Sequence, residues 1–111
     1  MLLIMAGFND NDLHAAADGL RAIAHPLRLS VLCHLADGPK NVGELLELTK
    51  VAQPNLSQHL AKLRMLGVVQ CERRSQHIYY RISDPGFVRI IDALRLTYCS
   101  PGGAQQGASG T

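Results

Sequence analysis

Between Gln53 and Leu66 the chain sets out amides, hydroxyls and bases at a spacing suited to reading a polyanion. Leu56, Leu60, Leu63 and Leu66 recur at helical intervals and form one apolar stripe. The opposite face carries Gln53, Asn55, Ser57, Gln58, His59, Lys62 and Arg64. Nearly all of these donate hydrogen bonds, and none is acidic. Such a face can meet base edges and phosphates. An ordinary solvated helix has a similar face, so the helix alone leaves both readings open. Pro54 suits a first helical turn and Gly67 a C-terminal stop.

The other reactive groups are dispersed. Cys33, Cys71 and Cys99 are far apart, with no Cys-x-x-Cys motif and no legible Cys/His/carboxylate constellation. The expectation is a protein that is not an enzyme, with no catalytic residue and no cofactor. His14, His25, His34, His59 and His77 are scattered without metal-ligand spacing, so no metal site is expected. All but His59 and His77 read as structural or solvent-facing. A free Cys in an apolar helix is commonly a small core hydrophobe.

The elements that must position these residues follow from periodicity and punctuation. Residues 1–8 read as a flexible end. Asn9, Asp10 and Asp12 offer caps and first-turn negative charge for a helix to about residue 24, with Leu13, Ala16, Ala17, Leu20, Ile23 and Ala24 apolar. His25-Pro26 breaks the chain and restarts it as a helix over about 26–36, with Leu27, Val31, Leu32 and Leu35 inward. Asp37-Gly38-Pro39 reads as a turn. Asn41 with Glu44 resembles a capping box for a short helix, 42–48. A brief turn, 49–52, leads into the polar helix, which makes a helix-turn-helix.

After Gly67 the period changes to that of strands. Ile78, Tyr80 and Ile82 alternate with His77, Tyr79 and Arg81, and Val68–Glu72 supplies the partner. Arg73-Arg74-Ser75-Gln76 reads as the turn of this hairpin. Ser83-Asp84-Pro85-Gly86 opens a last helix to about residue 99, striped by Phe87, Ile90, Ile91, Leu94 and Tyr98. Residues 100–111 have the composition of a disordered tail.

The predicted fold is therefore mainly α with a β-hairpin wing: a winged helix-turn-helix domain over 9–99. The polar helix would lie in the major groove. The wing residues Arg73, Arg74, His77 and Arg81 would reach flanking backbone or minor groove. The apolar stripes of the first and last helices exceed what so small a core needs. A two-fold homodimer absorbs them and sets two recognition helices about 34 Å apart over a palindrome.

Charge distribution supports this. The net charge of the 111 residues is only +2. Yet residues 48–83 hold Lys50, Lys62, Arg64, Arg73, Arg74 and Arg81 against Glu72 alone, a block at +5 in a chain otherwise at −3. The chain is 47% apolar and 5% aromatic, with no Trp, so one aliphatic core is expected. Its opening Met-Leu-Leu-Ile-Met is too short for a signal or membrane segment and lacks a basic flank, and no apolar run reaches bilayer length. The chain reads as cytoplasmic, without membrane contact.

The segments LRAIAHPLRLSVLCHL, VGELLEL, QPNLSQHLAKLRMLGVV and RRSQHIYYRI together resemble the ArsR/SmtB family of bacterial dimeric repressors, over about residues 13–99. The resemblance implies a transcriptional regulator, most often a repressor, that binds double-stranded operator DNA and releases it when an inducer binds. Matched positions put DNA contact on Gln53, Asn55, Ser57, Gln58 and His59. Ala52 departs from the family, which often has a capping Ser there.

Metal-sensing members of the family place a Cys-x-Cys motif in the third helix, or Asp and His ligands in the last. Here Asn41–Leu45 lacks Cys, and the last helix has Asp92 but no His. The placement of Cys33 and Cys99 is instead similar to the BigR/SqrR/HlyU-like subgroup. That likeness implies two sensor thiols that take reactive sulfur species as inducer and close a polysulfide bridge. Cys71 has no counterpart there and reads as incidental. Three other readings stay open: response to general thiol oxidation, anti-repression without a small-molecule input, and a winged helix used for protein contact.

Overall fold

Two reciprocal caps frame the N-terminal half of the computed structural model, which describes residues 7–99. The first helix, Asp10–Ile23 (α1), starts where Asn9 Oδ1 accepts from the Asp12 N–H at 2.8 Å and the Asp12 carboxylate accepts from the Asn9 N–H. The same device starts Val42–Thr49 (α3). There Asn41 Oδ1 accepts from the Glu44 N–H at 2.8 Å, and Glu44 Oε1 from the Asn41 N–H at 2.9 Å. Between them, Pro26–Leu35 (α2) is capped by His25, whose Nδ1 accepts from the Leu27 N–H at 3.1 Å. His25 thus takes a structural role.

Gln53–Met65 (α4) begins at Ala52 with no side-chain cap, as the departure at that position predicts. Its end is a Schellman motif. The Gly67 N–H donates to Arg64 O and the Val68 N–H to Leu63 O, with Gly67 at φ 79°. A side chain at Gly67 would strain that turn. Leu66 belongs to this cap and is exposed, so the apolar stripe ends at Leu63 and does not include Leu66. The last helix, Pro85–Tyr98 (α5), is capped by Asp84, which accepts from the Gly86 N–H at 2.7 Å.

The hairpin is longer than the sequence suggests. Its strands are Val69–Arg74 (β2) and His77–Ile82 (β3), antiparallel from Val69↔Ile82 to Arg74↔His77. Arg73 and Arg74 are strand residues, not turn residues, and only Ser75 and Gln76 turn. Ser75 adopts φ 57° to allow a two-residue loop. Cross-strand pairing overrides the polar, turn-like composition of that stretch. A further strand, Lys40–Asn41 (β1), adds to the other edge of β3 opposite Tyr80 and Tyr79. Two residues carry no periodicity, so pairing alone makes them a strand.

The core is aliphatic. Val31, Leu32 and Leu35 of α2 pack with Leu45 of α3, Leu56, Leu60 and Leu63 of α4, Val68, Val69, Ile82, and Ile91 of α5. Leu27 is half-buried. From α1 only Ala22 and Ile23 are buried, while Leu13 and Leu20 face outward. On α5, Ile90, Leu96 and Tyr98 are exposed, the last two at 79% and 80%. The expected flexible end and tail lie outside the described residues, Gly7 and Phe8 excepted.

Leu32→Ala should remove about 2–5 kcal/mol of stability, whereas Asn41→Ala should remove about 1 kcal/mol. Urea unfolding midpoints compare them. Equal losses would mean that α2 is not the centre of the core.

Candidate DNA-binding surface and thiol pocket

Helix α3 ends at Lys50, a left-handed C-cap with φ 58°, and Val51-Ala52 carries the chain into α4. Burial of Leu56, Leu60 and Leu63 against the core turns Gln53, Asn55, Ser57, Gln58, Lys62 and Arg64 outward, all exposed. The expected donor face is assembled on one helix.

His59 is the exception. It is half-buried and reaches back to the start of α2. Its Nδ1 lies 3.1 Å from Arg28 Nη1, and its ring centroid lies 4.3 Å from that of His25, tilted by 34°. Burial first, then His25 and Arg28, pull the His59 imidazole below the ordinary histidine range. Sequence reading missed Arg28 altogether. Only the break and restart at His25-Pro26 marked this junction in the sequence.

On the wing, Arg73, Arg74, His77 and Arg81 are all exposed. Arg74 sits 5.2 Å over the Tyr79 ring and 3.4 Å from Glu72 Oε1. His77 meets the edge of Tyr79, and Arg81 donates to Gln70 Oε1. Arg74 is paired with Glu72, the block's one acid, which leaves the charges of Arg73 and Arg81 without an acidic partner among the described residues. Arg64 and Tyr80 line a cavity of about 420 Å³ between α4 and the sheet. Burial first, then Cys71, push the Tyr80 hydroxyl up, and Arg64 offsets part of this.

The two thiols implicated by resemblance come together. Cys33 on α2 is half-buried, and Cys99, the C-cap of α5, is exposed. They line one apolar pocket of about 240 Å³ with Leu29, Ile91, Leu94, Arg95 and Tyr98. Burial raises the Cys33 pKa most. Arg95 opposes it, while Cys99, Asp37 and Asp92 add to it. Arg95 Nη1 is held 3.6 Å from Asp37 Oδ1 and 3.7 Å from Asp92 Oδ1. Cys71 lies on β2 opposite Tyr80 and does not line this pocket. Among the described residues no three His, Cys, Asp or Glu side chains gather as a metal site, and no helix is long and apolar enough to cross a membrane.

The known proteins that this chain resembles include transcriptional regulators. Residues 25–70 match the family described as bacterial regulatory protein, arsR family. The biofilm growth-associated repressor of Agrobacterium fabrum is 42% identical over 82 residues, covering 74% of this chain and 70% of that protein. The structure of HlyU from Vibrio cholerae superposes with a TM-score of 0.79 at 35% identity, covering 83% of this chain and 100% of the other. That of the transcriptional repressor BigR from Xylella fastidiosa gives 0.76 at 33%, covering 83% and 94%. The exposed donor helix, the basic wing and these likenesses agree: the chain belongs to the arsR family of winged helix-turn-helix, DNA-binding transcriptional regulators, and is not an enzyme.

Proposed function

We propose that this regulator is a repressor that binds a palindromic operator as a homodimer and lets go when polysulfide bridges Cys33 and Cys99. The single observation that carries the switch is the apolar pocket shared by those two residues, one on the core helix and one at the end of α5. DNA contact falls to Gln53, Asn55, Ser57, Gln58, His59, Lys62 and Arg64 of α4 and to Arg73, Arg74, His77 and Arg81 of the wing. The dimer is supported by the apolar faces that the core leaves outside, Leu13 and Leu20 on α1 and Leu96 and Tyr98 on α5.

The chemistry needs no reactant beyond a polysulfide anion. Cys99 is the exposed thiol and meets the reagent first. Its thiolate attacks an inner sulfur, breaks one S–S bond and expels a shorter polysulfide, which leaves a Cys99–S–S–SH chain. The Cys33 thiolate then attacks the middle sulfur and hydrosulfide departs, closing Cys99–S–S–S–Cys33. The two thiols lose two protons and two electrons, and sulfane sulfur takes the electrons. Because burial raises the Cys33 pKa, the thiolate fraction, and with it the closing step, increases with pH beyond the ordinary cysteine range. The bridge ties α5, a dimer-face helix, to α2, against which α4 packs. A change in their packing alters the separation of the paired recognition helices.

The same pocket favours a second reading, direct disulfide formation by peroxide. Intact mass spectrometry with peptide mapping after each reagent separates the two. A Cys33–Cys99 bridge heavier than a disulfide supports the first, and a plain disulfide formed under both reagents supports the second. Cys33→Ser and Cys99→Ser should each bind DNA normally and resist release by polysulfide in a mobility-shift assay. Release of the doubly substituted protein would place the sensor elsewhere. Gln58→Ala should cost roughly 1–3 kcal/mol on the operator alone. Arg73→Ala or Arg74→Ala should weaken all sequences and reduce the salt slope by about 1. An unchanged slope would remove the wing from the contact surface.

A further inference from the structure

The contact between Arg28 and His59 fixes the chemical form of the His59 ring. A guanidinium has five N–H donors, no acceptor, and stays charged. At 3.1 Å from Arg28 Nη1, His59 Nδ1 can therefore only accept, and it carries no proton. The ring is then neutral, with its proton on Nε2. Arg28 cannot easily turn away, because its Nε donates to the carbonyl oxygen of Ala22 in the last turn of α1.

The neighbouring imidazole is constrained in the same way. His25 Nδ1 accepts from the Leu27 N–H, so that ring too carries its proton on Nε2. The two rings lie 4.3 Å apart beside a permanent cation. Charging His59 would set it as a cation against Arg28 and break the hydrogen bond at its Nδ1. From α1, Asp18 and Arg21 line a depression with Lys62 and Leu66 further along α4, where they pair with each other. The charged and titratable groups that meet His59 itself are Arg28 and His25.

We propose that Arg28 is a positioning residue for operator recognition: it locks His59 as the neutral Nε2–H tautomer, so that α4 offers DNA one directed donor there instead of a cation. This rests on α4 being the DNA-contacting helix. A neutral donor suits the acceptors of the major groove, N7 and O6 of guanine, N7 of adenine and O4 of thymine. It releases no counterion, so it contributes to sequence discrimination and not to general affinity. Arg28 does this without touching DNA.

Two measurements test it. In the free protein, long-range ¹⁵N–¹H correlation of the imidazole nitrogens should show His59 as the neutral Nε2–H tautomer at pH 7, with a titration midpoint below about 6.5. In Arg28→Lys, which keeps the charge but has one nitrogen for Ala22 in place of a fork whose second nitrogen spans to His59, the midpoint should rise and the tautomers mix. The ratio of affinities for a fragment of the protein's own promoter and a scrambled fragment should fall about tenfold, with the salt slope unchanged. Arg28→Ala should do the same, and the wild-type spectrum stands even if that variant fails to fold. An Nδ1–H tautomer in the wild type, or full discrimination by Arg28→Lys, would overturn the proposal. His59→Ala locates the failure. Lost discrimination there with none lost in Arg28→Lys refutes only the lock, and no loss in either refutes the contact itself.

Discussion

Burial of α2 is the constraint on which the rest depends. This ten-residue helix packs against α1, α3, α4, α5 and β3, and its Val31 and Leu32 are fully enclosed. Each such side chain contributes about 1.5–3 kcal/mol by leaving water. With no aromatic residue in the core, the enclosed volume is filled by branched aliphatic side chains whose rotamers are few. The donor-rich helix α4 is held by this helix twice: Leu56, Leu60 and Leu63 join its core, and Arg28 reaches His59 at its edge. The thiol Cys33 lies on the same helix. The donor-rich helix and the thiol pocket are therefore both anchored on one element, although at different places along it.

The charge pattern has a division of labour that net charge hides. Many of the acids work locally. Asp12, Glu44 and Asp84 complete helix starts, where they satisfy N–H groups and favour the helix dipole. Asp37 and Asp92 hold Arg95 beside the thiol pocket. These five acids are thus tied to backbone or to a single cation. Lys62, Arg64, Arg73 and Arg81 remain exposed on α4 and the wing, with Glu72 the one acid of their block. A surface left with that excess attracts a polyanion over the range that salt permits.

The apolar surface has a similar division. The stripes of α4 and α2 are consumed by the core, whereas those of α1 and α5 are largely not. Sequence periodicity shows that a stripe exists but not what will cover it. The first helix illustrates this. Its stripe reads as six positions, of which Ile23 alone is fully buried, together with Ala22, which the stripe does not include. Closeness to the α2 junction decides burial there, not position on the helical wheel.

What the sequence by itself determined was local: five helices, the caps at Asn9 and Asn41, the stop at Gly67, the hairpin, and the outward donor face of α4. Each depends on neighbours within about four residues or on a period of 2 or 3.6. Fold class followed from the order of these elements. Family resemblance, not residue chemistry, singled out Cys33 and Cys99. Only the tertiary structure decided that those thiols share a pocket, that Lys40 and Asn41 become a strand against β3, that Arg73 and Arg74 belong to β2, and that His59 turns back to Arg28. All of these join residues on different elements, most of them distant along the chain. Packing of α2 sets such distances, and no local pattern encodes them.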